Sequence, residues 1–352
     1  MLFQLNVKNF TVFKEANLEF SPKLNVIIGE NGTGKSHLLK LIYTTLSVLA
    51  EGKHKSNLPS PTKSFLQKEI GNKLNNVFRP DNIGRLVSRI QGGRTRCQVN
   101  LELEDKNLNC SFNFSSISKT DVLIDLLPQK WLEVSPVFIP TRELLTIYPN
   151  FLSVYENHYL DFEETYRDTC ILLGALPLRG LRQVKVNRFL RPLEEAMDGK
   201  VKLDKNGRFY LKSNTKGEIE MPLVAEGLRK LAMLAQLIAT GNLLGQGYLF
   251  WDEPETNLNP ALIKVIAEVI LLLSQSGIQV FIATHSLFLL RELEILTAGR
   301  FKTDQDTKYF GLSSNNSDSV QVTQGNSISD IDPLVTLDEQ IMQSDRFMSL
   351  EY

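Results

Sequence analysis

Cysteine is scarce in this 352-residue chain: Cys97, Cys110 and Cys170 are scattered and form no CxxC pair. This excludes an all-cysteine zinc site and a disulfide scaffold, and it fits free thiols in a reducing compartment. An excess of either charge is also lacking. Lys+Arg total 39 against 40 for Asp+Glu, a formal charge of -1, so attraction to nucleic acid or membrane has to come from local basic surface. The longest apolar run, around residues 265–273, is interrupted by Glu268 and too short to span a bilayer. The opening MLFQLNVKNF lacks a basic segment followed by an apolar one, so no signal peptide is expected. Internal repeats and a sustained heptad seam are missing as well. With 42% hydrophobic and 22% charged residues, disorder is excluded. The expectation is a soluble cytoplasmic protein without membrane contact.

What is present alternates between strand and helix. Residues 2–7 and 16–20 read as strands, and 24–28 (LNVII) as a buried one. After GENGTGKS the pattern predicts a helix closed by Gly52, then a polar loop over 53–64. Helical pieces are expected over 65–91, a strand hairpin over 95–114 and a strand over 131–139. Residues 150–198 read as mostly helical, and 200–222 as a hairpin around Lys205-Asn206-Gly207. Helices over 226–240, 260–275 and 287–296 alternate with strands over 248–251 and 278–283. Two short strands within 303–332 and an amphipathic helix over 334–352 follow. This order argues for an α/β core with inserted elements.

Three short stretches carry the chemistry. Gly29-Glu30-Asn31-Gly32-Thr33-Gly34-Lys35-Ser36 fits G-x-x-x-x-G-K-[ST] between an apolar strand and a helix. Its glycines turn backbone N–H groups around phosphate oxygens at a positive helix end. Lys35 is expected to reach the β- and γ-phosphates and the Ser36 hydroxyl to ligate Mg²⁺. His37 closes this nucleotide-binding stretch; the side chains of His37, His54 and His158 read as ordinary core or surface histidines. The second stretch, Tyr248-Leu249-Phe250-Trp251-Asp252-Glu253-Pro254, is an apolar strand delivering two carboxylates at its end. Asp252 is expected to hold magnesium through water and Glu253 to polarise the attacking water. The third, Ile282-Ala283-Thr284-His285-Ser286, ends the next strand and places His285 to sense the γ-phosphate.

GENGTGKS, LFWDEPETNLNP and IATHS together resemble an ABC-type ATPase of the SMC/RecF/OLD-like branch, and the opening residues 5–36 resemble the start of that branch. The resemblance implies a P-loop NTPase with an ABC-ATPase-like nucleotide-binding domain over 1–352. A helical and β-hairpin lobe would be inserted over 53–222, with C-terminal strands and an amphipathic helix over 303–352. It implies ATP and Mg²⁺ as ligands and ATP hydrolysis, with Lys35, Glu253 and His285 catalytic. It makes Asn257-Leu258-Asn259-Pro260 the D-loop, with Asn259 in place of the usual Asp. It places the signature at Val224-Ala225-Glu226-Gly227-Leu228-Arg229-Lys230, where Ala225 replaces the serine and Glu226 the first glycine of the family pattern. Ala225, Glu226, Gly227 and Arg229 would face the nucleotide of a second copy in a head-to-tail homodimer, with Arg229 or Lys230 completing the site beside Gly227. The strand preceding Pro140-Thr141-Arg142-Glu143 sits where a Q-loop belongs but carries no glutamine, leaving Arg142 or Glu143 as a substitute or as one side of a plain ion pair. Long coiled coils are missing, and the stretch after His285 is too short for a Toprim nuclease; Asp304-Gln305-Asp306 reads as a polar turn. Compact ATPases similar to this occur in anti-phage modules of the Septu-like and retron-associated kinds, beside a separate nuclease or toxin. The other readings are a RecF-like repair ATPase acting on DNA and a nucleotide-gated scaffold with little turnover.

Two segments are locally basic: Arg79, Arg85, Arg89, Arg94 and Arg96, and then Arg179, Arg182, Lys185, Arg188 and Arg191. On a helix a three-residue recurrence drifts by about 60° per step, so the second set forms a winding ribbon. Pro192 is expected to end or kink that helix. The ribbon reads either as a solvated surface paired with Glu194 and Glu195, or as a salt-sensitive phosphate-backbone contact through Arg182, Lys185 and Arg188.

Overall fold

The computed structural model describes residues 1–88, 95–157, 161–244, 247–301, 307–314, 319–333 and 335–350. Strands β1 (Leu2–Phe10) and β2 (Phe13–Glu19) form an antiparallel ribbon whose buried residues alternate with exposed ones. β3 (Leu24–Gly29) is buried at every position and leads through the glycine-rich loop into α1 (Lys35–Ser56). There follow α2 (Lys63–Phe78), β4 (Arg96–Leu103), β5 (Cys110–Ser115), β6 (Leu123–Leu126) and β7 (Pro136–Ile139). Helices α3 (Tyr148–Glu156), α4 (Glu164–Leu173) and α5 (Leu181–Met197) precede a meander of β8 (Gly199–Leu203), β9 (Phe209–Ser213) and β10 (Gly217–Glu220). The chain closes with α6 (Glu226–Ala239), β11 (Tyr248–Asp252), α7 (Pro260–Gln275), β12 (Gln279–Thr284) and α8 (Leu287–Ala298). Last come β13 (Thr307–Ser314), β14 (Val320–Gly325) and α9 (Val335–Met348).

The central sheet runs β14-β13-β3-β12-β11-β7, parallel except for β14 at its edge. β3, β7, β11 and β12 are buried at every position, and their two-residue period divides the core. Ile27, Phe138, Phe250, Phe281 and Phe310 face α1, α2 and the antiparallel sheet β2-β1-β4-β5-β6. Val26, Ile28, Ile139, Leu249, Trp251, Val280 and Ile282 face the helices that follow β7 and β11. Phe250 stacks on Phe281 at 4.8 Å between centroids. Removing either ring costs about 3–5 kcal/mol in a core of this density.

Several expectations change. The segment 53–222 is divided among three places: its first hairpin extends the N-terminal antiparallel sheet through the β1–β4 pairing, β7 completes the central sheet, and the helices with the meander cover the other face. Helix α1 does not stop at Gly52. That glycine is there because the Trp131 ring lies against it with no room for a Cβ, and the helix ends where Asn57 turns left-handed at φ 56°. The loop expected over 53–64 therefore shrinks to 57–62. Only residues 136–139 of the strand expected over 131–139 form one, because Trp131 is engaged by α1 and by the Leu58 carbonyl at 2.8 Å. Pro192 does not end α5, which continues to Met197 because its apolar face packs on α6 and α7. All three cysteines are free and buried. No helix among the described residues is long and apolar enough to cross a membrane.

Candidate nucleotide and metal site

Parallel pairing puts the C-terminal ends of β3, β12 and β11 side by side, with Thr284 opposite Ile28 and Asp252 opposite Ala283. The three stretches singled out from sequence thus converge at one sheet edge, where α/β folds bind ligands. Gly32 and Gly34 adopt φ of 83° and 87°, backbone that side chains rarely take, and this curls the loop ahead of α1. Gly29 is needed for another reason: a Cβ there would come within 2.6 Å of the Leu312 carbonyl on β13. Glu30, Asn31 and Gly32 are exposed, while Thr33 is buried and its hydroxyl donates to the Glu30 carbonyl at 2.8 Å.

Lys35 is buried, and its ammonium donates to the Gly29 and Glu30 carbonyls at 2.7 and 2.8 Å. Burial lowers its pKa, against the opposing pull of Glu253 and Asp252. The Ser36 hydroxyl donates to Asp252 Oδ1 at 2.9 Å, so the two expected magnesium ligands already meet. Burial raises the Asp252 pKa, with the Ser36 bond and the Lys40 charge working the other way. A hydroxyl beside a carboxylate at a helix N-terminus is a donor set suited to a hard divalent cation with retained waters. His37 turns away from this chemistry: its ring packs near Phe78 and burial lowers its pKa.

Glu253 sits just past β11 at φ 47°, a left-handed conformation costing a non-glycine residue about 1–2 kcal/mol. Its backbone is pinned by its N–H donating to the Ala283 carbonyl at 2.9 Å and by Lys230 Nζ donating to its own carbonyl at 2.6 Å. Its carboxylate accepts from Thr256 Oγ1 at 3.0 Å, and its other oxygen lies 3.2 Å from His285 Nδ1. The carboxylate and the imidazole expected to handle the attacking water and the γ-phosphate therefore touch.

Two contacts escaped sequence reading, although Lys230 itself stood in the signature segment. Lys230 reaches from α6 beneath this turn, is 2% exposed and has its pKa lowered by burial to about 8. Glu255 is buried and accepts from the Thr284 hydroxyl at 2.6 Å. The run Asp252-Glu253-Pro254-Glu255 showed a third acid, but its burial is a matter of tertiary packing.

The signature segment lies at the start of α6, with Ala225 and Glu226 exposed. Glu226 accepts from Asn257 Nδ2 at 2.8 Å, and Gly227 lets the helix approach the D-loop, since a Cβ would lie 2.9 Å from the Asn257 carbonyl. Asn259 caps α7 by accepting from the Leu262 N–H. Arg229 is engaged within the chain: its Nε stands 3.1 Å from Glu143 Oε1, an ion pair whose angle falls short of a hydrogen bond. Glu143 also accepts from Thr146 Oγ1 at 2.7 Å, so it acts here as one side of an ion pair.

Of the basic segments, Arg79 pairs with Asp161, Arg85 with Asp81 at 3.7 Å, and Arg96 donates to Asn113 at 2.8 Å. In α5, Arg191 pairs with Glu195 at 2.7 Å and Arg188 lies over the Phe189 ring. Arg89, Arg94, His158, Asp304, Gln305 and Asp306 lie outside the described residues, as do the side chains of Arg182 and Lys185.

Residues 24–291 match the family described as "AAA domain, putative AbiEii toxin, Type IV TA system". Shorter stretches resemble DNA replication and repair protein RecF. The match is 44% identical over 43 residues in Phocaeicola vulgatus, covering 12% of each chain. In Bacillus cytotoxicus it is 27% over 110 residues, covering 31% of this chain and 25% of that protein. The chain thus spans a quarter or less of the length of these relatives. The SMC head domain from Thermotoga maritima shares the fold at 12% identity and a TM-score of 0.51, over 92% of this chain and 98% of that one. An Smc head bound to the C-winged helix domain of ScpA does so at 14% and 0.54, over 93% and 98%. Sheet order, converging loops and family match agree: the chain is of the ABC ATPase type in the SMC/RecF branch and belongs to the AAA-domain family of putative AbiEii toxins.

Proposed function

We propose that this protein binds ATP with Mg²⁺ and hydrolyses it to ADP and phosphate. The observation that carries the reading is the convergence, at one sheet edge, of Lys35, the Ser36–Asp252 pair and the Glu253–His285 pair. Lys35 would exchange its two carbonyl partners for phosphate oxygens, a charge-assisted contact stronger than the one it leaves. Ser36 and Asp252 would hold the magnesium, which neutralises charge on the β- and γ-phosphates. Glu253 would accept a proton from the attacking water, with Thr256 fixing one oxygen and His285 facing the other.

The exposed Ala225–Glu226 segment supports a head-to-tail homodimer, in which Gly227 and its neighbours complete the partner's nucleotide site. Arg229 would enter only after leaving Glu143. In this reading the cytoplasmic ATPase gates a separate effector, such as a nuclease or toxin, in anti-phage defence. The RecF likeness favours one alternative, direct DNA binding, with Arg188 as its exposed contact; duplex binding across a salt series, wild type against Arg188→Glu, separates it from partnership with a protein.

The test of hydrolysis is Glu253→Gln. It is expected to retain ATP binding and to lose turnover by about 100-fold or more, because only the proton acceptor is removed. Full activity in this variant sinks the assignment. Light scattering of the same variant with ATP reads the dimer.

A further inference from the structure

We propose that Glu255 is a positioning residue for the Glu253–His285 pair, acting through the turn that carries His285. The proposal rests on the hydrolytic reading above. Of these three residues His285 is the most exposed, with 47% of its side chain accessible, against 24% for Glu253 and 6% for Glu255. A ring this exposed is held less by packing than a buried one, so its placement leans on the backbone beneath it. Glu255 Oε1 fixes that backbone twice, accepting from the Thr284 hydroxyl at 2.6 Å and from the His285 N–H at 3.3 Å. Thr284 in turn accepts from the Ser286 N–H at 3.0 Å, and Ser286 caps α8 by accepting from the Leu289 N–H. The buried carboxylate thereby sets the whole β12–α8 turn.

The second oxygen, Oε2, is buried without a hydrogen-bond partner among the described residues. Burying a carboxylate costs several kcal/mol unless its lone pairs are satisfied. A glutamine would accept the same two bonds without that cost, so the fold alone does not call for a charge here. Lys230 stands under the same turn, and Glu255 is the strongest charge favouring its protonated form. The pair Lys230 and Glu255 therefore brackets the strained Glu253, Lys230 holding its carbonyl from α6 and Glu255 locking the opposite strand end.

The experiment compares Glu255→Ala, Glu255→Gln and Thr284→Val by steady-state turnover and by NMR of the His285 ring, assigned through His285→Gln. Glu255→Ala is expected to lower kcat about tenfold or more with KM within twofold, since slight misplacement of a reacting pair is costly in rate alone. Glu255→Gln restores most of that turnover, and Thr284→Val, which removes one hydroxyl, lands between. The His285 ring resonances move in Glu255→Ala and stay near wild type in Glu255→Gln. If wild type shows no turnover, the hydrolytic reading fails, and the ring resonances still decide the positioning claim. Unchanged resonances in both Glu255→Ala and Thr284→Val overturn it, as does unchanged kcat in an active enzyme.

Discussion

Lys35, which opens α1, and Lys73, which packs on it from α2, are both buried lysines, yet burial lowers the pKa of the first while that of the second is raised well above 10.5. The difference lies in their partners. Lys73 donates to Asp168 at 2.7 Å and stands 3.1 Å from Glu164; Tyr43 OH donates to the same Asp168 oxygen at 2.6 Å, and Arg167 pairs with the other. Burial would lower the Lys73 pKa, but Tyr43, Asp168 and Glu164 together outweigh it. Lys35 meets only backbone carbonyls, with carboxylates acting from farther away. The acids diverge in the same way. Asp252 is raised by burial, whereas Asp168 is lowered because Lys73 and its other neighbours overcome its burial. A cluster balanced by charges of its own chain ties α1, α2 and α4 together. A cluster left with buried charge matched mainly by dipoles is suited to an outside anion and cation, as the proposed function requires.

The largest expected effect breaks the balanced cluster. Lys73→Met takes the buried cation from Glu164 and leaves Asp168 only Arg167 and the Tyr43 hydroxyl, and should cost about 3–5 kcal/mol of stability, read by urea unfolding. A sharper version of the contrast uses pH. Lys230, like Lys35, has a lowered pKa, about 8 when folded against 10.5 ordinarily. Between those values the folded protein binds fewer protons than the unfolded chain, so this residue makes stability rise with pH, by up to roughly 3 kcal/mol. Lys73 has the opposite sign: its contribution is complete below 10.5 and is lost as pH climbs through its raised folded value. Wild type minus Lys230→Met, followed from pH 7.5 to 10, isolates the rising limb; a falling difference contradicts the assignment. Next in size, Lys35→Ala should weaken ATP binding by about 1.5–3 kcal/mol, the worth of a hydrogen bond to a charged group. Smallest of all, Arg191→Ala on the α5 surface should leave the urea midpoint essentially unchanged, because its pair with Glu195 is solvated.

The candidate site was legible because its chemistry is written in contiguous residues. Gly29 to Ser36, Asp252-Glu253 and Thr284-His285 each occupy one loop, and parallel pairing only had to bring three strand ends together. Residues acting across the fold left no such trace. Nothing local says that Lys230 reaches under Glu253, that Glu255 is buried against Thr284, or that Arg229 finds Glu143. Gly52 and Pro192 mislead for a related reason: read locally they end helices, but packing against Trp131 explains the first and contacts with α6 and α7 sustain the second. The strand periods were readable along most of the chain. The placement of β13 beside β3, and the merging of the β4–β5 hairpin with β1 and β2, are long-range pairings that no short window contains.

The most direct test of the contrast is thermal unfolding of wild type, Lys35→Ala and Lys73→Met, each with and without Mg²⁺ and ATP. At a ligand concentration of about 100 times Kd, binding adds about 2.7 kcal/mol, so wild-type Tm should rise by several degrees. Lys35→Ala should start near the wild-type Tm and gain about half the wild-type increment or less. Lys73→Met should start several degrees low yet gain as much as wild type. A Lys35→Ala protein that still gains the full increment, or a Lys73→Met protein that starts level with wild type, contradicts the division between a charge cluster built for the fold and one built for the nucleotide.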